Sequence, residues 1–313
     1  MTITISYDPY QSNWYVGELY KTFHEYLVNK KIDITYIHIK DLAKQHNESF
    51  EYINNLPSVF SIYSLIITDN NKTFVHNLSD YAPAILEHDS AIDKLNIKAF
   101  GITSNLTANV FNLHANKNFI IHPSFYILEN YNDYNRILKY QDITNKKNNC
   151  CFNGLLYGIR QQYSNVLTKN NFFHILNKSN SNDYQDKDTY YKYISGYRYG
   201  LSLNGAAQIC YRDLEYFGVK NLCLREKLNI ITHNPLIENY HYKTIIDDDI
   251  YYKIYNKKEE SYILNKIKDI IENISIEEIQ FVTHNAQQWF FDNVKLENQL
   301  KILNSFIEKT GII

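Results

Sequence analysis

Glycine and proline are scarce, nine and five among 313 residues, and methionine occurs once. Neither GxGxxG nor GxxxxGKS/T is present, which argues against a dinucleotide dehydrogenase and a P-loop NTPase; the lack of GxSxG disfavours an α/β-hydrolase. There is no HExxH, no Cys/His zinc spacing and no EF-hand loop. The four cysteines, Cys150, Cys151, Cys210 and Cys223, form no CxxC pair, and two are adjacent, which suits no ordinary disulfide framework and points to a reducing compartment. A basic excess is also missing: the net charge of -2 argues against a dedicated nucleic-acid binder. The start, MTITISYDPY, has neither a basic n-region nor an apolar h-region, and no run is long enough to span a bilayer, so a cytoplasmic protein without a transmembrane segment is expected.

What is present is an ordinary globular balance, 44% hydrophobic and 21% charged, enough for two domains that each bury a core. The 29 tyrosines follow the Asn, Ile and Lys bias of an AT-rich genome and carry no weight as a class. In the first half, short apolar runs alternate with helical patterns. Strands are predicted at Ile3–Ser6, Ile32–Ile39, Ile62–Thr68, Ile97–Thr103 and Asn118–His122, and helices at Trp14–Leu27, Ala82–Leu95 and Leu106–His114, the last capped by Ser104. Between Glu129 and Asn149 the chain turns polar and loses its period. The boundary is placed there, giving domains over 1–145 and 146–313.

A second alternation follows, with strands at Asn149–Gly154, Phe172–Leu176, Tyr199–Leu203 and Asn221–Leu224 and helices at Arg160–Leu167, Tyr190–Ser195 and Ala206–Phe217. The end is helical over Glu259–Ile274, Ser275–Asn293 and Leu296–Lys309, and Ser275 with Glu278 fits a capping box. Alternation of this kind builds parallel sheets, so the fold class is α/β, with two Rossmann-like domains and C-terminal helices.

The most informative stretch is Tyr199–Glu226. A buried strand meets Asn204-Gly205 and then a helix, whose first free N–H groups lie beyond the strand's carboxyl end, where anions bind. On that helix Cys210, Leu214 and Phe217 form an apolar stripe, while Gln208, Arg212 and Glu215 follow the same spacing on another face. An arginine fork suits a diphosphate, and a carboxylate suits ribose hydroxyls. The alternative is an i,i+3 salt bridge between Arg212 and Glu215 on a solvated face.

Strand, Gly205, then Arg212-x-x-Glu215 resembles the donor half of GT-B-type glycosyltransferases, including exostosin-like and protein O-glucosyltransferase-like families. The resemblance implies two domains facing a cleft, Arg212 on the donor diphosphate, Glu215 on the nucleotide ribose, and no role for Asp213. CCFNGLLYGIR adds a strand ending at Gly154 and then Arg160, where such families place another phosphate-contacting arginine; the alternative is a solvated first-turn residue. LREKLNIITHNPLIENYHYK carries Arg225, Lys227, His233, His241 and Tyr242 and is expected to close over the donor, His241 being either a substrate contact or a hydrogen-bonded loop histidine. THNAQQWFFDN and its helices are also similar to GT-B enzymes.

The resemblance implies transfer of a sugar from a nucleotide-diphosphate sugar to a glycan or other hydroxyl acceptor, with no cofactor. Asp8, just past the first strand, is the candidate base, unless it only caps a turn beside Pro9; Asp69 and His76 are rivals. Asp247-Asp248-Asp249 satisfies the Asp-x-Asp pattern by which GT-A enzymes hold a metal, so a metal-dependent transferase using Asp247 and Asp249 is one alternative. A non-catalytic glycan- or partner-binding protein is another.

Overall fold

The computed structural model describes residues 2–10, 15–50, 52–53, 56–69, 72–77, 94–102, 120–123, 128–130, 132–154, 173–177, 186–204, 208–246 and 260–311. The expected helices at Ala82–Leu95 (apart from its last two residues), Leu106–His114 and Arg160–Leu167 lie outside them, as do Ser104, Arg160, Gly205, Asp247 and Asp249. The chain divides into two compact α/β units. One holds Met1–Tyr131, Asn229–Pro235 and Asn293–Ile313, and the other Asn132–Leu228 and Leu236–Asp292.

The first unit begins β1 (Thr2–Tyr7), α1 (Tyr15–Asn29), β2 (Asp33–His38), α2 (Ile39–Gln45), then a short ladder of β3 (Tyr52–Ile53) and β4 (Leu56–Pro57). It continues with β5 (Ser64–Asp69), β6 (Lys72–Asn77), β7 (Ile97–Ile102) and β8 (Ile120–Pro123). The main sheet runs β2-β1-β5-β6-β7-β8. It departs from the all-parallel expectation: β5 runs antiparallel to both β1 and β6, so the strand after the second crossover returns as a hairpin. The other neighbours are parallel. Ile3, Ile5 and Tyr7 of β1 are buried, as an inner strand requires, and a second cluster joins Ile39, Leu42 and Ala43 of α2 to Ile66, Val75 and Phe100.

The second unit contains α3 (Asp133–Leu138), β9 (Lys147–Gly154), β10 (Phe173–Asn177), α4 (Lys187–Ser195), β11 (Tyr197–Ser202), α5 (Tyr211–Gly218), β12 (Leu222–Glu226), β13 (Lys243–Ile246), α6 (Glu260–Asn273) and most of α7 (Ile276–Val294). Its sheet is wholly parallel in the order β10-β9-β11-β12-β13. That is the 2-1-3-4-5 order of doubly wound sheets, and its switch point falls between β9 and β11. Cys150, Cys151 and Phe152 are buried in succession, the mark of a strand covered on both faces. On one face Ile263, Ile267 and Ile271 of α6 join Phe152, Tyr199, Leu201 and Leu224 in a core where each large side chain contributes about 1.5–3 kcal/mol.

The helix expected from Ala206 starts at Tyr211 instead, because the Asp213 carboxylate folds back to accept the Cys210 N–H at 2.7 Å and so caps the first turn. Its far end is fixed by Lys146, whose ammonium donates to Val219 O at 2.6 Å, Lys220 O at 2.9 Å and the Asn221 side chain at 2.7 Å. Between these ends the helix lies close on the sheet at Gly200, where an added Cβ would fall 2.5 Å from the Tyr216 ring. Ser275 Oγ accepts the Glu278 N–H at 3.1 Å at the start of α7, while the Glu278 carboxylate itself pairs with Lys243. The last helix, α8 (Leu296–Thr310), belongs to the first unit and packs on α1. No helix among the described residues is long and apolar enough to cross a membrane.

Candidate functional site

At the carboxyl edge of the second sheet, β9 ends on Asn153-Gly154 and β11 leads into Asn204. Arg212, on the first turn of α5, reaches across this switch point to the end of β9. Its Nε donates to Asn153 O at 2.7 Å, and its guanidinium carbon sits 4.6 Å from the centre of the Phe152 ring. The residue is 9% exposed, and its Nη1 has no acceptor among the described residues. Burial works against the charge, and Tyr216, Cys210, Tyr190 and Glu215 nearby favour it, with the net effect of raising the pKa. Gly154 leaves the space: a Cβ there would lie 2.0 Å from Nη2. Asn153 is 5% exposed, and its Oδ1 is likewise buried without a donor among the described residues. A buried cation with an unmet N–H lacks an acceptor, and an anion has the chemistry to supply one.

Glu215 faces another way. It is buried, and Tyr190 and Tyr191 donate to its two oxygens at 2.5 and 3.3 Å, with Lys187 Nζ 3.8 Å off. Burial, with the Glu215 carboxylate adding to it, keeps both phenols protonated and therefore donors. The solvated i,i+3 salt bridge is overturned: both residues are buried, and no ion pair joins them among the described residues.

Asp213, given no role in the sequence reading, is the hub of the site's frame. It is fully buried and, besides capping α5, accepts Arg225 Nη1 at 2.6 Å. Arg225 is also fully buried, on β12, and its Nη2 donates to Asn204 Oδ1 at 3.2 Å. Glu226 takes the Asn204 backbone N–H at 3.1 Å and its amide at 2.7 Å. Arg225 therefore does not close over a ligand from a loop; it locks the end of β11 to α5. The signal for Asp213 was the Cys210-x-x-Asp213 spacing, and nothing in the sequence marks a buried strand arginine.

His241 sits in a turn, where its Nδ1 accepts the Ile237 N–H at 2.8 Å and its ring meets Tyr240 edge-on. Burial pushes its pKa from 6.5 down to about 4. Protonation therefore costs the folded state, and stability falls as pH drops from 6.5 through about 4. The full loss is about 3 kcal/mol. Urea melts at pH 7 and pH 4 will show this slope, and His241→Asn, which keeps an acceptor, will flatten it. The thiols of Cys150, Cys151 and Cys223 are pushed up by burial, Cys151 to about 12, which disfavours thiolate chemistry. All four cysteines are free.

In the first unit, Asp8 follows β1 at the carboxyl edge and is 4% exposed. Its Oδ1 accepts the Tyr10 N–H at 3.0 Å, a turn cap, and lies 3.7 Å from His38 Nε2. His38 Nδ1 accepts from Lys40 N, which leaves the ring proton on Nε2, toward Asp8. Asp69 ends antiparallel β5 and so stands at the opposite edge of the sheet. His76 is fully buried with Nδ1 2.9 Å from the Tyr20 hydroxyl. Among the described residues no cluster of three or more His, Cys, Asp or Glu could hold a metal.

No family model and no curated protein matches the chain. Solved structures that it resembles in fold include glycosyltransferases. An alpha-glucosyltransferase in complex with UDP-glucose and DNA containing an abasic site is 10% identical, with TM-score 0.42 over 98% of this chain and 100% of that one. An alpha-glucosyltransferase in complex with UDP and a DNA containing an HMU base is 12% identical, with TM-score 0.46 over 98% and 99%. An alpha1,3-fucosyltransferase is 10% identical, with TM-score 0.45 over 98% and 90%.

Proposed function

We propose that the protein is a glycosyltransferase that moves a hexosyl or pentosyl group from a nucleotide-diphosphate sugar to a glycan or other hydroxyl acceptor, without a metal. The observation that carries this reading is the buried Arg212 guanidinium with its unmet Nη1 at the switch point of a parallel sheet. Arg212 takes the donor diphosphate. Gly205 and Arg160, by their resemblance to exostosin-like and protein O-glucosyltransferase-like enzymes, allow close approach and add a second phosphate contact; Glu215 serves the ribose, whereas His241 stands ahead of β13, at the amino edge of the sheet, and is given no contact with the donor. As the bond from the anomeric carbon to the diphosphate oxygen breaks, charge grows on the leaving diphosphate, and a pre-placed arginine stabilises it more than the ground state. Asp8 accepts the proton of the acceptor hydroxyl as that oxygen bonds to the sugar. Net charge -2 favours an acceptor other than nucleic acid, and four free cysteines agree with a cytoplasmic setting.

Thermal shift against a panel of nucleotide sugars, with and without EDTA, tests the reading. The expected result is stabilisation by one nucleotide class, unaffected by EDTA, with Asp8→Asn retaining donor binding while losing transfer. No stabilisation by any nucleotide sugar contradicts the reading, binding without transfer or donor hydrolysis favours a binding protein, and loss of activity in EDTA favours the Asp247/Asp249 alternative.

A further inference from the structure

A fully ionised diphosphate has only acceptors to offer, so it satisfies Arg212 Nη1 and leaves Asn153 Oδ1, a nearby buried atom without a donor among the described residues, unanswered. The two residues are joined directly, Arg212 Nε donating to Asn153 O. Each is more than nine-tenths buried, and the lack of a side chain on Gly154 is what lets the guanidinium lie against the strand end. A buried amide oxygen without a donor is costly and rare in a folded protein unless a ligand completes it.

We infer that Asn153 is a specificity residue that accepts a hydrogen bond from a hydroxyl of a sugar joined to the bound phosphate. The site then reads a phosphate and its attached sugar together: Arg212 holds the anion, and Asn153 distinguishes a glycosylated or nucleoside-linked phosphate from a bare one. The inference rests on Arg212 as the diphosphate site. It differs from the ribose role at Glu215, whose oxygens already accept from Tyr190 and Tyr191.

The test is Asn153→Leu, which keeps the volume and removes the acceptor. Calorimetric titrations use inorganic pyrophosphate, which lacks a hydroxyl; UDP and GDP, which add a ribose; and UDP-glucose and GDP-mannose, which add a second sugar. The variant is expected to bind pyrophosphate within about twofold of wild type and to bind at least one sugar-bearing ligand about tenfold more weakly. Weakening that begins with UDP or GDP and is shared by ribose 5-phosphate, which has no base, assigns the ribose; weakening of UDP or GDP that ribose 5-phosphate does not share is a base contact and overturns the inference; weakening confined to the nucleotide sugars assigns the second sugar. Because the variant removes an unanswered buried acceptor, its ligand-free Tm is expected at or above that of wild type, which a structural role for the amide would not give. Equal weakening of every ligand, no weakening of any, or a lowered ligand-free Tm overturns the inference and leaves the Arg212 site standing. Failure of wild type to bind pyrophosphate overturns both.

Discussion

Arg212→Ala is expected to lower nucleoside diphosphate affinity by about 10²–10⁴-fold, since each charge-assisted bond lost contributes about 1.5–3 kcal/mol and an arginine fork makes two. Arg212→Lys restores the charge but neither the planar fork nor the stacking on Phe152, and it has no Nε to donate to Asn153 O. It will recover only a minor part of the affinity. Titration calorimetry at fixed ionic strength measures both, and a lysine variant equal to wild type would mean that simple charge, with no fork geometry, is what the site supplies. Transfer activity is expected to fall further than affinity in both variants, because the contact strengthens as the leaving diphosphate gains charge.

The second large effect is on stability. Asp213→Ala removes the only carboxylate paired with a fully buried Arg225 among the described residues and also uncaps α5. An uncompensated buried charge costs about 3–5 kcal/mol, a large share of ordinary folding stability. Urea denaturation should show that loss. Asp213→Ala combined with Arg225→Met removes both charges and is expected to recover much of it. If the double variant is no better than the single one, the cap at Cys210, and not the stranded cation, dominates. Nucleotide affinity should fall in the single variant as well, because Asp213 sets the start of the helix that carries Arg212.

The sequence made the sheets legible where strands are continuous apolar runs: CCF of β9 and LCL of β12 read as buried strands and are so. It hid the β5–β6 hairpin, since β6, KTFVHN, mixes polar with apolar residues and follows β5 after two asparagines, and a single alternation assigns one strand where two pair. The start of α5 was misplaced because helix-favouring alanines extend the periodic pattern backward, while the true start is set by one side chain, Asp213, bonding to the backbone three residues before it. Arg212 and Glu215 share a face by spacing, yet tertiary neighbours divide them: Phe152 and Asn153 take one, Tyr190 and Tyr191 the other. Periodicity ranks faces and cannot name partners. The same limit hid Arg225, which sits inside an apolar strand, and Asn153, whose significance is an oxygen without a donor among the described residues.

The most direct measurement is a crystal structure with the nucleoside diphosphate that stabilises the protein most. A phosphate oxygen is expected on Arg212 Nη1 at roughly 2.7–2.9 Å, beside Gly154. A diphosphate bound elsewhere, with Nη1 still lacking an acceptor, would contradict it.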